Sequence, residues 1–468
     1  MAGPTSLQEI RRAAQAQIVT DPRLLASYDH DWWPLATKRS RLGEPLGRPD
    51  AFAQPTSAEQ VADLVRLAHE HRVPLVPWGL GSSVVGAPLA TTGGIVCDLS
   101  RLTGITALST QDLLVSVRAG TMGADLEEAL NAHGLTLGHS PQSLDRSTVG
   151  GWVATRATGQ FSSRYGGIED LLVAVEVALP EHGLVRTPIA ARPALGPDLA
   201  GLMVGAEGTL GVVTEVTLRL NPLPTEEHLE ALVFDEVGST VAAMREIMAG
   251  GLRPFLIRGY DPAETVHLSK GTVEGCALLL GSRGTLADPV RAEHEAAVAI
   301  AEANGGRRLG STLAEGWMAR RFDVSVIEAL VEEPGGFAET IEVSALWSGI
   351  VELHTDLTKS LAPHAEEVLG HFSHAYPQGT SLYVIMLGRA EDDAAAVRRI
   401  ETFWEVAMEV CERQGAAPLH HHGIGLARRR WLPGALGDAA APLAAITLAL
   451  DPQRVCNPGK LTDPPSRH

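Results

Sequence analysis

PWGLGSSVVGAPL, residues 77–89, sets a turn rich in glycine and serine between two apolar runs. Gly79 and Gly81 remove side chains where another group must approach the backbone, and Ser82 and Ser83 add hydroxyls and free amides. Amides in such a turn bind oxyanions without the bulk or reorganisation of charged side chains, so a phosphate is the expected occupant. The spacing excludes two familiar phosphate loops. The third glycine falls at Gly86, two positions later than G-x-G-x-x-G requires, and no lysine follows as in a P-loop.

Outward from this turn the chain alternates helices and strands. SAEQVADLVRLAHEHR places a serine cap at Ser57, three residues before Gln60, and puts Val61, Leu64, Val65 and Ala68 on one helical face. VPLVP then reads as a short buried strand, which makes the opening stretch its exit loop. GGIVCDLS and LLVSVRAGT read as further strands, and GADLEEALNAHG as a helix stopped by Gly134. LLVAVEVALP and GVVTEVTLRLNP have the period of two of longer strands, and Pro222 and Pro224 punctuate their end. Beyond that boundary strands and helices mix in a new order: ALVFDE, STVAAMREIMAGG, PFLIRGYD, GCALLLGSRG, a long helix from Asp288 to Asn304, and later LYVIML and a helix through Glu405. The expected architecture is α+β, with a cap whose antiparallel sheet is covered by helices on one face.

A chain of 468 residues exceeds one ordinary core, so about two or three domains are expected. Hydrophobic residues at 45% and charged residues at 20% suit a globular protein, and no apolar run approaches the ~20 residues of a membrane span. The N-terminus lacks the basic start and apolar core of a secretory signal. These features lead to the expectation of a cytoplasmic protein, peripheral to a membrane at most. The formal charge of −18 repels nucleic acid, and ARRRW at 427–431 is the one basic cluster against it. Cys97, Cys276, Cys411 and Cys456 form no CxxC pair and read as reduced core residues.

Two further segments enlarge the phosphate turn into a cradle. SPQSLDRSTVGGWVATRATGQFSSRYGGIEDLL, residues 140–172, sets glycines among hydroxyl residues, and VGAEGTLGVVTEVTL, residues 204–218, leads a glycine turn into a strand. Together they supply amides for a long ligand with several phosphates and a flat ring. With PWGLGSS, STVGGWVATRATG, GPDLAGLMVGAEGTLGVVTEVTL and the terminal DPQRVCNPGKL, the chain resembles the vanillyl-alcohol oxidase type of FAD-linked oxidases, with a PCMH-type FAD domain of two subdomains and a cap. The resemblance implies an N-terminal segment 1–45, an FAD-binding domain 46–222, a substrate or cap domain 223–416 and a segment 417–468 that returns to the FAD site. It implies that Pro77, Gly79, Gly81, Ser82 and Ser83 hold the FAD diphosphate. Thr148, Gly150, Gly151 and Ala154 would line its central portion, with Arg164 and Tyr165 near the flavin. Glu207, Gly208, Leu210, Gly211 and Val213 would close over the adenosine half. The pyrophosphate loop contains no histidine, so the expected FAD is noncovalent.

APLHHHGIGLARRRWL carries the catalytic signal, with His420, His421 and His422 before a glycine turn. Consecutive side chains on a strand alternate faces, so three neighbouring histidines are not expected to converge on a metal, and one or two should face the flavin. The chain is similar to the FAD-linked 2-hydroxyacid dehydrogenases, in which an upstream pair of histidines binds metal. Here YPQGTSLY puts Tyr376 and Tyr383 at those positions, and His421 stands where that branch has glutamate. HHHGIG together with Tyr383 instead resembles the alkyldihydroxyacetonephosphate synthases. That resemblance implies acid/base roles for Tyr383 and the histidines and a need for Arg258, with Arg320 and Arg321 as candidates to hold a phosphate. Three functions are open. The leading one is hydride transfer from a small hydroxy acid or alcohol to flavin N5, with Arg258 holding an anionic group. The second is the redox-neutral synthase of ether lipid formation, and the third a flavin-binding subunit without catalysis. Expected partners are a small anionic substrate and an electron acceptor (quinone, cytochrome or oxygen), with a homodimer as the candidate assembly.

Overall fold

A computed structural model describes residues 4–461, so the outermost residues of the two end segments, 1–3 and 462–468, lie outside it. Ser57 accepts a hydrogen bond from the Gln60 amide at 3.3 Å and starts the helix Ala58–His71, whose Val61, Leu64, Val65 and Ala68 are fully buried. The buried positions follow the helical period that its sequence sets. The helix delivers the chain to the strand Leu75–Trp78, parallel to Ile95–Asp98, which is parallel in turn to Ala51–Ala53. Ile18–Val19 adds an antiparallel edge, so the N-terminal segment is built into this first sheet. A second sheet of five antiparallel strands follows: Ile105–Ser109, Leu114–Arg118, Val212–Arg219, Leu172–Leu179 and Gly183–Arg186 in spatial order. Leu75, Ile95, Val117, Trp152, Val177 and Val216 join both sheets in one core.

Seven antiparallel strands form the third sheet, in the order Arg307–Gly310, Glu226–Phe234, Cys276–Gly284, Leu256–Tyr260, Glu367–Ser373, Gly379–Arg389 and Gly336–Leu346. Side chains alternate across it. Ile341, Val343, Leu382, Val384 and Phe372 enter a core shared with the helices Val237–Ala249, Ala287–Ala303 and Ile350–Leu361. The other face carries Glu342, Tyr383, His371 and Tyr260 in register across four strands. Arg258 lies two residues from Tyr260 and shares that face. Sequence patterning predicts neither Gly336–Leu346 nor Glu367–Ser373, because buried Glu339 and Glu342 interrupt the apolar alternation of the first and His371 that of the second.

The tail closes the first sheet. Cys456 bridges Leu75 in parallel, with Leu75 N–H donating to Val455 O at 2.7 Å and Asn457 N–H to Leu75 O at 2.8 Å. Just before it, Arg429–Leu450 corrects one expectation: by length and composition this run is apolar enough to cross a membrane, an 18-residue window of it having a mean hydropathy of 1.3 and being 11% buried. Alanines occupy five of its twelve exposed positions, and its regular stretches are short, Leu432–Leu436 and Ala440–Leu450, broken at Gly437 with φ of 53°.

Candidate active site

A cavity of about 780 Å³ runs between the first two sheets and the polar face of the cap sheet. Pro77, Gly79, Gly81, Ser82 and Ser83 line it, as do Thr148, Gly150, Gly151 and Ala154, and Glu207, Gly208, Gly211 and Val213. Thr148 caps the helix Val149–Thr155 by accepting from the Gly151 amide at 3.2 Å, and a Cβ at Gly79 would come within 2.5 Å of its Oγ1. Glycine at 79 is therefore what lets the glycine and serine turn lie against the neighbouring segment. Two buried acceptors on the cavity wall, Gln160 Oε1 and Asn457 Oδ1, have no partner. Free acceptors and amide-rich turns fit a ligand carrying ring N–H or amino groups at one region and phosphates at another, as FAD does.

Three expected cofactor residues lie elsewhere. Arg164 and Tyr165 line a separate surface cleft with Arg253 and Glu293. Arg164 donates to Arg253 O and Glu293 at 3.1 Å each, and Tyr165 OH accepts from Arg283 at 3.0 Å, so both tie the cradle to the cap. Leu210 is 3% exposed inside the shared core. Glu207 lines the cavity but its carboxylate is turned away from a ligand role: it accepts from the amides of Ile424 at 2.5 Å and Gly425 at 3.1 and 3.0 Å. Burial raises this carboxyl to about 7, against the pull of those amides and of Lys460 and Arg428. Asn457 Nδ2 donates to Glu207 O at 2.6 Å and Ala87 O at 3.0 Å, so the tail, the turn opening the 204–218 segment and the glycine and serine turn of residues 77–89 meet at one residue.

The N-terminal segment also contributes, which its sequence does not signal. His30, Asp31, Trp32, Pro34 and Thr37 line the cavity. Asp31 accepts from the amides of Trp33 at 3.2 Å and Gly86 at 2.8 Å, and burial raises its carboxyl to about 6. Trp32 N–H donates to Gly81 O at 3.2 Å and Ser83 O at 2.9 Å, so the segment straps the turn.

Opposite the cradle stands the cap wall. Arg258, Glu264, His371, His374, Tyr383, His421 and His422 line the same cavity. His420 turns aside, its ring 5.1 Å from His374 and 5.6 Å from Tyr376. Residues 420–422 form a turn rather than a strand, so side-chain alternation does not govern them. Ring nitrogens of His374, His420 and His421 lie within 4.8 Å of one another, so two of the three adjacent histidines meet a third that follows the cap strand Glu367–Ser373, while His422 stays outside the group. His420 Nδ1 and His421 Nδ1 are hydrogen-bonded at 3.0 Å, and His374 Nδ1 reaches Ser162 Oγ at 2.9 Å.

Glu342 holds this turn in place. Its Oε1 accepts from the backbone amides of His420 at 3.3 Å, His421 at 3.0 Å and His422 at 2.8 Å, while Oε2 pairs with the fully buried Arg428. Burial alone would raise the carboxyl, but the Arg428 guanidinium and the His422 amide carry it well below the usual range. The buried carboxylate is thus ionised and satisfied. Burial lowers the pKa of all three histidines of the turn, His420 to about 4, so the imidazoles are neutral. Burial also raises Tyr383 to about 12, leaving a protonated phenol whose ring meets His422 edge-on at 5.6 Å. The wall therefore offers a neutral base, a phenolic donor and one guanidinium. Arg320 and Arg321, the expected phosphate ligands, do not line the cavity: Arg321 packs its guanidinium 4.3 Å from the Phe322 ring.

Comparison with known proteins bears on the same regions. Residues 49–187 match the family model of an FAD binding domain, and 223–461 that of the FAD linked oxidases, C-terminal domain. The chain is 28% identical to the alkyldihydroxyacetonephosphate synthase of Dictyostelium discoideum over 460 residues, covering 90% of this chain and 75% of that protein. It is 30% identical to YgcU, an uncharacterized FAD-linked oxidoreductase of Escherichia coli K12, covering 88% of this chain and 89% of that one. A mitochondrial D-lactate dehydrogenase [cytochrome] of Arabidopsis thaliana is 27% identical, with 96% and 80% covered. Among solved structures, an alkyldihydroxyacetonephosphate synthase aligns with a TM-score of 0.80 at 24% identity over 98% of this chain and 85% of that one. Substrate-bound p-cresol methylhydroxylase aligns at 0.78 and 15% identity, over 98% and 96%.

Proposed function

The chain belongs to the FAD-linked oxidases, enzymes with FAD as cofactor, and we propose that within them it oxidises the carbinol carbon of a small hydroxy acid or a similar anionic alcohol. The observation that carries this reading is the face of the cap sheet, where His422, Tyr383 and Arg258 look across one cavity at the amide-rich cradle. FAD, bound noncovalently, supplies the acceptor for the hydride that leaves the carbinol carbon. His422, neutral and beside the Glu342 carboxylate at 3.4 Å, takes the hydroxyl proton, and Glu342 stabilises the imidazolium that results. Tyr383 keeps its proton and donates a hydrogen bond to the substrate oxygen. Arg258 pairs with the substrate carboxylate and fixes which hydrogen faces the flavin.

A redox-neutral exchange like that of the synthases named above is the second reading, favoured by the Tyr383 and histidine arrangement. It needs cations for a phosphate group. Among the described residues the cavity lining supplies Arg258 and Arg146, and Arg146 is already bound to Asp145 at 2.9 Å and Glu328 at 3.1 Å. Glu328 and Glu332 line the same end, which repels a phosphate. We infer a cytoplasmic location, supported by four free, buried cysteines; the exposed alanine-rich run near the C-terminus is the part suited to lie on a membrane.

Anaerobic stopped-flow spectroscopy tests the proposal. The yellow protein is mixed with a panel of D-2-hydroxy acids, and separately with acyl-dihydroxyacetonephosphate and a fatty alcohol. Bleaching of the oxidised flavin absorbance by a hydroxy acid is the expected result. Exchange of acyl for alkoxy with no external acceptor selects the synthase instead.

A further inference from the structure

Arg258 is held through an imidazole rather than by a carboxylate of its own. It sits on the strand Leu256–Tyr260, and its NH2 group lies 2.6 Å from His371 Nε2. A guanidinium has only donors, so His371 Nε2 must be a bare acceptor. The single proton of the neutral ring then resides on Nδ1, which stands 2.8 Å from both carboxylate oxygens of Glu264. Glu264 is set in turn by the helix Pro262–Ser269, whose capping residue Asp261 accepts from the Glu264 amide at 2.8 Å. The imidazole plane is fixed by stacking on Tyr383, 4.9 Å away at 13°. Burial and the adjacent Arg258 keep the ring neutral against the opposing pull of Glu264 and Asp261.

A glutamate placed directly on Arg258 would occupy its fork and cancel its charge. With an imidazole between them, the carboxylate sets the direction of the guanidinium without occupying its fork, and its opposing charge acts only from beyond the ring. Arg258 Nε is buried without a hydrogen-bond partner, and among the described residues no carboxylate forms an ion pair with Arg258. The Tyr260 and Trp317 rings, each 5.4 Å from the guanidinium carbon, flank it with low-dielectric surface. We propose that Glu264 and His371 are positioning residues whose N–H···O and N–H···N contacts present Arg258, with no carboxylate in its fork, to the carboxylate of an anionic substrate. The proposal rests on the hydroxy acid reading for its substrate class.

Oxalate, a small carboxylate with no carbinol hydrogen, probes this without turnover. Its binding to the FAD-loaded protein is read as a shift of the flavin absorbance spectrum, with flavin content per chain measured for each variant. Wild type is expected to bind; Arg258→Ala and Glu264→Ala should each lose about tenfold or more in affinity. Glu264→Gln, whose amide oxygen still accepts from Nδ1–H, should recover to within about threefold of wild type. If Glu264→Ala folds poorly and loses flavin, His371→Gln serves in its place, since its flexible terminal amide does not hold an acceptor toward Arg258 and a donor toward Glu264 in the fixed directions of the ring, and the same loss is expected. Wild-type binding by Glu264→Ala or His371→Gln at full flavin content, or no oxalate response in wild type, overturns the proposal. Oxalate binding that follows this pattern with no hydroxy acid bleaching the flavin would leave the clamp standing and remove the oxidation reading.

Discussion

His422 is the residue on which the chemistry turns, because a neutral imidazole 3.4 Å from an ionised carboxylate can accept a proton and hold it. His422→Ala should lower turnover by about 10²–10⁴-fold while leaving flavin content unchanged, as general-base removal does. The pH profile follows from the same geometry. Burial lowers the His422 pKa below its ordinary 6.5, so kcat/KM should fall only as pH drops through that lowered value. A rate that instead declines between pH 8 and 7 would remove the neutral imidazole as base. At this scale the sequence shows part of the site. His420, His421 and His422 announce themselves by adjacency, and Arg258 and Tyr383 through resemblance. His371, Glu264 and Glu342 carry no local signal: Arg258 and His371 are 113 residues apart, and sheet register alone unites them.

Elements explain how a turn becomes rigid enough to act. The strand Gly336–Leu346 brings Glu342 beneath three successive amides of residues 420–422, and the pairing of Ser344 with Ala417 sets where that turn begins. Glu342→Gln keeps an acceptor for the amides but leaves Arg428, 1% exposed, without a counter-charge. Breaking such a buried pair costs about 3–5 kcal/mol. The variant should therefore unfold at lower temperature and lose activity together, in thermal scans of the flavin-loaded protein; unchanged unfolding would mean Arg428 finds another partner. This strand is also where sequence legibility ends. The helix Ala58–His71 is readable because one periodic face is buried. Gly336–Leu346 hides because its two glutamates look like surface residues while both are almost fully buried, at 1% and 0% exposed.

At the scale of the whole molecule, the cradle is readable because amide-rich turns must be written in glycine and serine, whereas the parts that close it need no special residue types. Strap residues 30–37 and the tail at 451–461 work through backbone contacts and single polar side chains, Asp31 and Asn457, that form no motif. Glu207 is the point where these parts lock, accepting from Ile424 and Gly425 while its own carbonyl accepts from Asn457. Its carboxyl is raised from 4.5 to about 7 by burial. The sign follows: a raised folded-state pKa favours the protonated form, so its contribution is fully present below 4.5 and is lost as pH rises through about 7. Glu207→Gln resembles the protonated group at every pH and keeps an acceptor for both amides. The unfolding temperature of the variant relative to wild type should therefore rise from pH 5 to pH 8, by the equivalent of roughly 3 kcal/mol at most. A difference that stays flat over that range would mean the carboxylate is ionised throughout, held by the two amides, Lys460 and Arg428, and that closure of the molecule is not coupled to a proton.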